Sequence, residues 1–335
     1  MKFVTGLLLS ACFALPLVLS GGAQAADKKL TIAFSFQDLE TEFWVAGHQA
    51  IASTLKDRGF NVVEKNASKD ANKQLEQVKS VIAQGVDGII IIPKDGEIAV
   101  TIGKLANQAG IPYGVFNRPP SNKDAKALVA VADNRKISAE ATEYMAEVAK
   151  KLGHKVTPAI MVGDLGDPNA VYRRQGFMDV IEKYPDLWTA KPIEIPTKWD
   201  ANTALANLKS AVQANPNIDF LFVSSDFMFP EVKSVLAPLG KWQKSGNAKH
   251  VILGGVDGDK TACRLISDGY LDATGVQDLY VEAALVLDAI TAAVHSGAKT
   301  PENWMEDPGY ALTQGNFATK SKDTWGCKLL AQGGK

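Results

Sequence analysis

Four consecutive isoleucines, Ile89 to Ile92, stand between Gly88 and Pro93. A short run that is β-branched and apolar at every position has no face to offer water. It is the signature of a strand buried on both sides, inside a parallel sheet with helices on each face. The surrounding sequence repeats the alternation this requires. Strands are expected over 30–34, 61–63, 88–93 and 113–116, and helices over 43–58, 71–84 and 97–108, stopped by Gly59, Gly85 and Gly110. The rhythm restarts after Asp133-Asn134 with helix 138–152, strand 159–162, helix 170–183, strand 192–195, helix 201–214 and strand 220–223. Helix 231–236, strand 251–254, helix 262–268, strand 273–276 and a long helix over 279–295 complete it. Two runs of strand–helix alternation imply an α/β fold of two doubly wound parallel-sheet lobes. The length of 335 residues agrees, because single cores stop growing at about 250–300 residues.

Charge and the N-terminus narrow the functional classes. The formal net charge is −1 with no basic block, which argues against a nucleic-acid partner, since that needs clustered Lys and Arg. Residues 1–25 read as a signal peptide: Lys2 is its positive start, 3–20 its apolar core, and Ala23-Gln24-Ala25 the cleavage box, with the cut expected after Ala25. Leu9-Ser10-Ala11-Cys12 also resembles a lipoprotein box, but cleavage there would leave the apolar 13–20 beside the lipid. No later apolar run approaches the roughly 20 residues that span a bilayer. An exported protein is expected. The two cysteines left after cleavage, Cys263 and Cys327, are then free to pair as a disulfide or to pack as separate small hydrophobes; both readings stay open.

In open α/β sheets ligands sit beyond the carboxyl ends of the strands. Those ends carry Thr41, Phe43 and Trp44, then Asn117 and Arg118, then Asn169 and Arg173. Trp199, Ser225, Asp226, Asp257 and Gln277 follow in the second half. Aromatic planes, guanidinium forks, amides and carboxylates suit sugars, whose C–H faces stack on rings and whose hydroxyls both donate and accept. Plainer roles compete at several positions. Of the adjacent Phe43 and Trp44 one should be buried, and of Arg173 and Arg174 at least one solvated. Asp257 and Asp226 could each simply cap the helix that follows. Catalytic patterns are weak: in Gly254–Thr261 an Asp replaces the glycine before the lysine of a phosphate loop, and the four histidines have no metal-ligand spacing. No enzyme, cofactor or metal is expected.

With these residues in view, the chain resembles the periplasmic sugar-binding proteins of the ribose/galactose type, type I periplasmic binding proteins that feed ABC importers. Gly88–Pro93, Ala106-Asn107-Gln108-Ala109-Gly110-Ile111-Pro112, Asn117-Arg118, Asn169–Phe177 and Val256-Asp257-Gly258 carry the resemblance, which spans 30–295. It implies that Phe43 and Trp44 face Trp199 across a cleft, that Arg118 and Arg173 fork onto ligand oxygens from opposite lobes, and that Asp257 and Gln277 take hydroxyls. It also implies a three-segment hinge near 133, 277 and 307, dividing 26–132 plus 278–309 from 133–277 plus 310–335. A periplasmic monomer handing a small neutral sugar or polyol to ABC permease subunits follows, with a sensor docking on a membrane receptor as the alternative. Ribose binders carry Asp where this chain has Asn117, and Asn where it has Ser225 and Thr41, so ribose itself is not carried over. Residues 310–335 match poorly and are left unmapped. As cleft-lining groups, the two arginines are expected to support no core.

Overall fold

The computed structural model describes residues 1–3 and 29–333. Most of the expected signal peptide, including Cys12 and the cut after Ala25, lies outside them. In chain order the first half runs β1 (Thr31–Phe36), α1 (Glu42–Asp57), β2 (Asn61–Asn66), α2 (Ala71–Ala83), β3 (Gly88–Ile92), α3 (Gly96–Ala109), β4 (Tyr113–Phe116) and β5 (Leu128–Ala132). Next come α4 (Asn134–Lys150), β6 (Thr157–Val162), α5 (Pro168–Lys183), β7 (Ile193–Pro196), α6 (Ala201–Ala214), β8 (Ile218–Val223) and α7 (Phe229–Leu236). Then follow β9 (Ile252–Asp257), α8 (Lys260–Ser267), β10 (Ala273–Val276) and α9 (Leu279–Ser296). The chain ends with β11 (Asn303–Asp307), β12 (Tyr310–Thr313), α10 (Phe317–Lys320) and α11 (Trp325–Gln332).

The strands form two sheets of six, ordered β11-β5-β4-β3-β1-β2 and β12-β10-β9-β8-β6-β7. All pairings are parallel except the antiparallel β10–β12 edge. The chain passes from the first sheet to the second after β5, returns after β10, and crosses again between β11 and β12. The isoleucine run explains the layering: Ile90 and Ile92 join one core while Ile89 and Ile91 join the other, as alternating side chains must. The apolar α9 covers one of these faces. A Cβ on Gly88 would stand 2.7 Å from Val294, so the bare glycine lets that helix approach.

Helix starts follow their caps. Seven aspartates (Asp70, Asp95, Asp133, Asp167, Asp200, Asp259 and Asp278) accept a backbone N–H of the first turn, as does Thr41 for α1. Thus α4 begins four residues before its expected start, because Asp133 accepts from Lys136. The cap of α8 is Asp259, and Asp257 instead ends β9. No strand was expected over β5, although its apolar run is buried at all five positions as that of β3 is; it pairs with β4 and β11. β11, β12, α10 and α11 likewise had no sequence expectation.

Cys263 of α8 is bonded to Cys327 of α11, with the Cα atoms 5.3 Å apart. The bridge closes a loop with a sequence separation of 64, which on chain-entropy grounds stabilises the fold by about 4 kcal/mol. Reduction, or Cys263→Ala with Cys327→Ala, is therefore expected to lower unfolding free energy by about 2–4 kcal/mol in denaturant melts. A second clamp holds the long 237–251 loop. His250 places Nδ1 2.7 Å from the Gln243 carbonyl and Nε2 2.9 Å from Asp272, an acceptor on each side. Burial favours the neutral ring, but the Asp272 carboxylate and Gln243 carbonyl outweigh it and the pKa is raised above 6.5. A raised folded pKa adds stability below the unfolded value that is lost as pH rises through the folded one. The stability difference between wild type and His250→Gln should therefore shrink as pH is raised through neutrality, read as Tm at stepped pH.

Candidate functional site

The carboxyl ends of the two sheets face each other and enclose a cavity of about 100 Å³. From the first lobe come the turn after β1 and the start of α1 (Gln37, Asp38, Thr41, Phe43, Trp44), Lys69, Lys94, and Asn117-Arg118 after β4. The second lobe supplies Asp167, Asn169 and Arg173 at the start of α5, Lys198-Trp199 after β7, and Ser225 and Phe227 after β8. Asp257 and Asp259 flank the end of β9, and Gln277 follows β10. The structure thus brings eleven of the twelve expected residues to one cavity: Thr41, Phe43, Trp44, Asn117, Arg118, Asn169, Arg173, Trp199, Ser225, Asp257 and Gln277. Asp226 is the exception. It is fully buried behind the wall, where it accepts from the Gly258 N–H at 2.7 Å and from the Thr274 hydroxyl at 2.8 Å. Through these bonds Asp226 links the turn after β9 to β10 behind the cavity wall.

Both arginines are held by the protein's own acceptors. Arg118 donates from Nε to Asp167 at 2.7 Å, and from Nη1 to Gln37 and to the Pro93 and Lys94 carbonyls. Since Asp167 belongs to the opposite lobe, this buried ion pair crosses the cleft. Arg173 donates from Nε to Asn134 at 2.6 Å and from Nη1 to the Ser224 carbonyl at 2.7 Å, with Asp257 3.1 Å away. In each case Nη2 has no hydrogen-bond partner among the described residues. Each guanidinium also lies over an indole, Arg118 above Trp44 at 5.5 Å and Arg173 above Trp199 at 5.7 Å. The neighbouring Arg174 pairs with Glu194 at the surface instead.

Local strain aims several of these groups. Asn117, Lys198, Trp199 and Asp257 all have positive φ, a region that L-residues with side chains enter at a cost of roughly 1–3 kcal/mol. Asn117 is fixed on both sides: its amide donates to Gln277 and Glu282, and its oxygens accept from Asn169 of the opposite lobe. The Trp199 indole donates to Asp167 at 3.1 Å. Burial pushes the Asp257 carboxyl up, a shift that Arg173 and the Ser225 hydroxyl partly oppose. Burial likewise pushes Asp259 up to about 7 and Asp226 well above the usual carboxylate range, with the neighbouring aspartates adding to it. Burial also raises Asp38. Among the described residues no cluster of His, Cys, Asp and Glu has the makings of a metal site.

The sequence reading did not name Gln37, Asp38, Lys69, Lys94, Asp167, Phe227 or Asp259 as lining residues. Asp167 had a readable signal, an Asp-Pro pair opening a helix as N-cap and first residue. Lys69 had none, since it enters through the paired positive φ of Ser68 and Lys69.

Two doubly wound lobes joined by three crossings around a polar cavity define a bilobal ligand-binding protein. The chain belongs to the periplasmic binding protein domain family, whose profile matches residues 32–299. It is 28% identical to the ribose import binding protein of Bacillus subtilis, over 86% of this chain and 90% of that relative. It is also 28% identical to the xylitol-binding protein of Mycolicibacterium smegmatis, over 92% of this chain and 81% of the relative. Among solved structures, an ABC transporter solute-binding protein from Bacillus halodurans with bound myo-inositol superposes with a TM-score of 0.75 at 26% identity. That match covers 87% of this chain and 96% of the other.

One glycine sets the position of the second-lobe indole. A Cβ on Gly163 would fall 2.1 Å from the Trp199 ring, with no flexible tip to yield. Gly163→Ala is expected to displace Trp199, at an overpacking cost of about 1–3 kcal/mol, and to shift tryptophan emission in the unliganded protein. Unchanged emission and Tm would show that the ring has room to spare.

Proposed function

We propose that this protein captures one small neutral monosaccharide or sugar alcohol between its lobes and delivers it to an ABC permease. The observation that carries the reading is the cavity itself. Two indoles and two arginines, one of each from either lobe, line a space far smaller than the 300–1,000 Å³ pockets typical of drug-sized ligands, and each guanidinium keeps its Nη2 unpaired among the described residues. A single polyhydroxylated ring or short polyol fits such a space, offering oxygens to the guanidinium groups and C–H faces to the rings. The sugar and polyol names borne by relatives of the same family support this class.

In this reading Thr41, Phe43, Trp44, Asn117 and Arg118 from one lobe, and Asn169, Arg173, Trp199, Ser225, Asp257 and Gln277 from the other, contact the ligand. The lobes divide at the crossings near 133, 277 and 307 and act as a hinge. Closure then presents a continuous surface across both lobes, which a permease can distinguish from the open form. A monomer working in the periplasm after removal of its first 25 residues suffices for this task. Binding and release involve no chemistry, and no cofactor enters.

A thermal-shift screen over pentoses, hexoses and polyols tests the class. A member present at about 100 times its Kd should stabilise the protein by about 2.7 kcal/mol, and should reduce the radius of gyration in solution scattering. Arg173→Ala should weaken binding of that member by about 1–3 kcal/mol in calorimetry, the scale of a charge-assisted hydrogen bond. Stabilisation by amino acids or dicarboxylates, with no response to any sugar or polyol, would overturn the reading.

A further inference from the structure

We propose that Asp38 selects the ligand, its unengaged carboxylate oxygen accepting a hydrogen bond from one particular hydroxyl of the bound sugar or polyol. This rests on the reading that the cleft holds such a ligand. Asp38 lies in the turn between β1 and α1, lines the cavity and is 3% exposed. The chain itself uses one oxygen: Oδ1 accepts from the Glu40 backbone N–H at 2.8 Å and so shapes the turn. Oδ2 has no hydrogen-bond partner among the described residues, and it is not one of the unpaired atoms sealed from all access. It therefore opens on the cavity that Asp38 lines.

Burial and the Glu40 carboxylate push the Asp38 carboxyl up, and the nearby cations oppose that shift without engaging the carboxylate. Lys69 and Arg118 are both close enough to stabilise the carboxylate. The Lys69 ammonium, however, is bound to Glu40, and Arg118 directs Nε and Nη1 at Asp167, Gln37 and two carbonyls. Asp167 and Asp257 differ from Asp38 in that Arg118, Trp199, Ser225 and Gln277 already donate to them.

An ionised carboxylate only accepts, so whatever meets Oδ2 must donate. The arginine groups only donate, and they read ligand oxygens as acceptors, which a ring oxygen satisfies as well as a hydroxyl does. Asp38 makes the distinction they cannot. A ligand bearing hydrogen or fluorine at that position would leave a buried acceptor unpaired, the situation in which polar sites discriminate most steeply.

Asp38→Asn is the apt variant, because its Oδ1 keeps the Glu40 contact while an amino group replaces the free acceptor. Calorimetry on wild type and Asp38→Asn would use D-ribose, D-xylose, D-allose, xylitol and myo-inositol, then the monodeoxy and deoxyfluoro analogues of the tightest binder. The variant is expected to bind that parent at least about tenfold more weakly, the scale of a lost hydrogen bond to a charged group. One deoxy position and its deoxyfluoro counterpart should each lose at least about tenfold on wild type, yet bind the variant no worse than the parent does. Parent-level affinity in Asp38→Asn, or equal losses in both proteins at every position, overturns the inference while leaving the sugar reading intact. If wild type binds none of the five, the other members of the thermal-shift screen take their place, and no response to any sugar or polyol overturns the sugar reading and this inference with it. Should Asp38→Asn not fold, Asp38→Ser, whose hydroxyl also accepts from Glu40, takes its place in the same comparison.

Discussion

Two guanidinium groups, each 4% exposed, stand where the lobes meet, and the rest of the cleft is arranged around them. A buried charge is tolerated only when paired and hydrogen-bonded, and removing one partner of such a pair costs about 3–5 kcal/mol. Hence the acids and carbonyls that crowd the site. Arg173 is neutralised within its own lobe by Asp257, but Arg118 depends on Asp167 from across the cleft. In the hinge reading proposed above, parting the lobes would exchange that carboxylate for water and leave the ion pair to the closed state alone. The worth of the closed form is the difference between the two settings, not the Coulomb energy of the pair.

Holding Asp257 opposite Arg173 demands support from a part of the chain far away in sequence. Asp257 has φ of 128° and ends a strand, so its backbone must be pinned from behind. Trp325 does this: it is 1% exposed and donates from its indole to the Asp257 carbonyl at 2.8 Å. Its neighbour Gly326 lies so near the turn that a Cβ would fall 2.3 Å from the Gly258 carbonyl oxygen. The Cys263–Cys327 bridge then ties this short helix to α8, whose cap is Asp259. Trp325 also meets Phe43 of the opposite lobe edge-on at 5.9 Å. The C-terminal segment, the part least legible in the sequence, is the floor of the site.

What the sequence revealed and what it hid have separate physical causes. β3 was plain because burial on both faces forces an unbroken apolar run, and α9 because eighteen largely apolar residues have few other uses. The topological rule for parallel sheets then located the site, since it fixes which end of each strand carries ligand groups. β11 was hidden because pairing alone defines it: Asn-Trp-Met-Glu-Asp is a mostly exposed edge held in register with Leu128–Ala132. Asp226 was misplaced for a finer reason. Ser225 and Asp226 are adjacent in the turn after β8; Ser225 lines the cavity while Asp226 is buried behind its wall. Spacing identifies the turn but not which of the pair turns inward.

The distribution of polar groups over the lobes bears on how capture and release are coupled. Asn117 touches Asn169, and Arg118 touches Asp167, so the two residues after β4 each make a polar contact across the cleft, beside the Phe43–Trp325 ring contact and the Gly96 N–H on the Gly166 carbonyl. Lys94 to Asp164 and Glu42 to Lys260 add outer pairs on either side of the mouth. Those outer pairs are partly solvated and worth about 0–1 kcal/mol each. They guide closure more than they hold it. The inner pair is buried, but its gain is offset by the desolvation of both ions. If the lobes open and close as proposed, a ligand that touches both of them only when they are together would tip the balance toward the closed form. Had the inner contacts been apolar and extensive, the lobes would close without a ligand and nothing would be reported by closure. Beside the Phe43–Trp325 ring contact, the polar pairs that cross the cleft around the cavity of about 100 Å³ are the ones a hinge would have to break and remake.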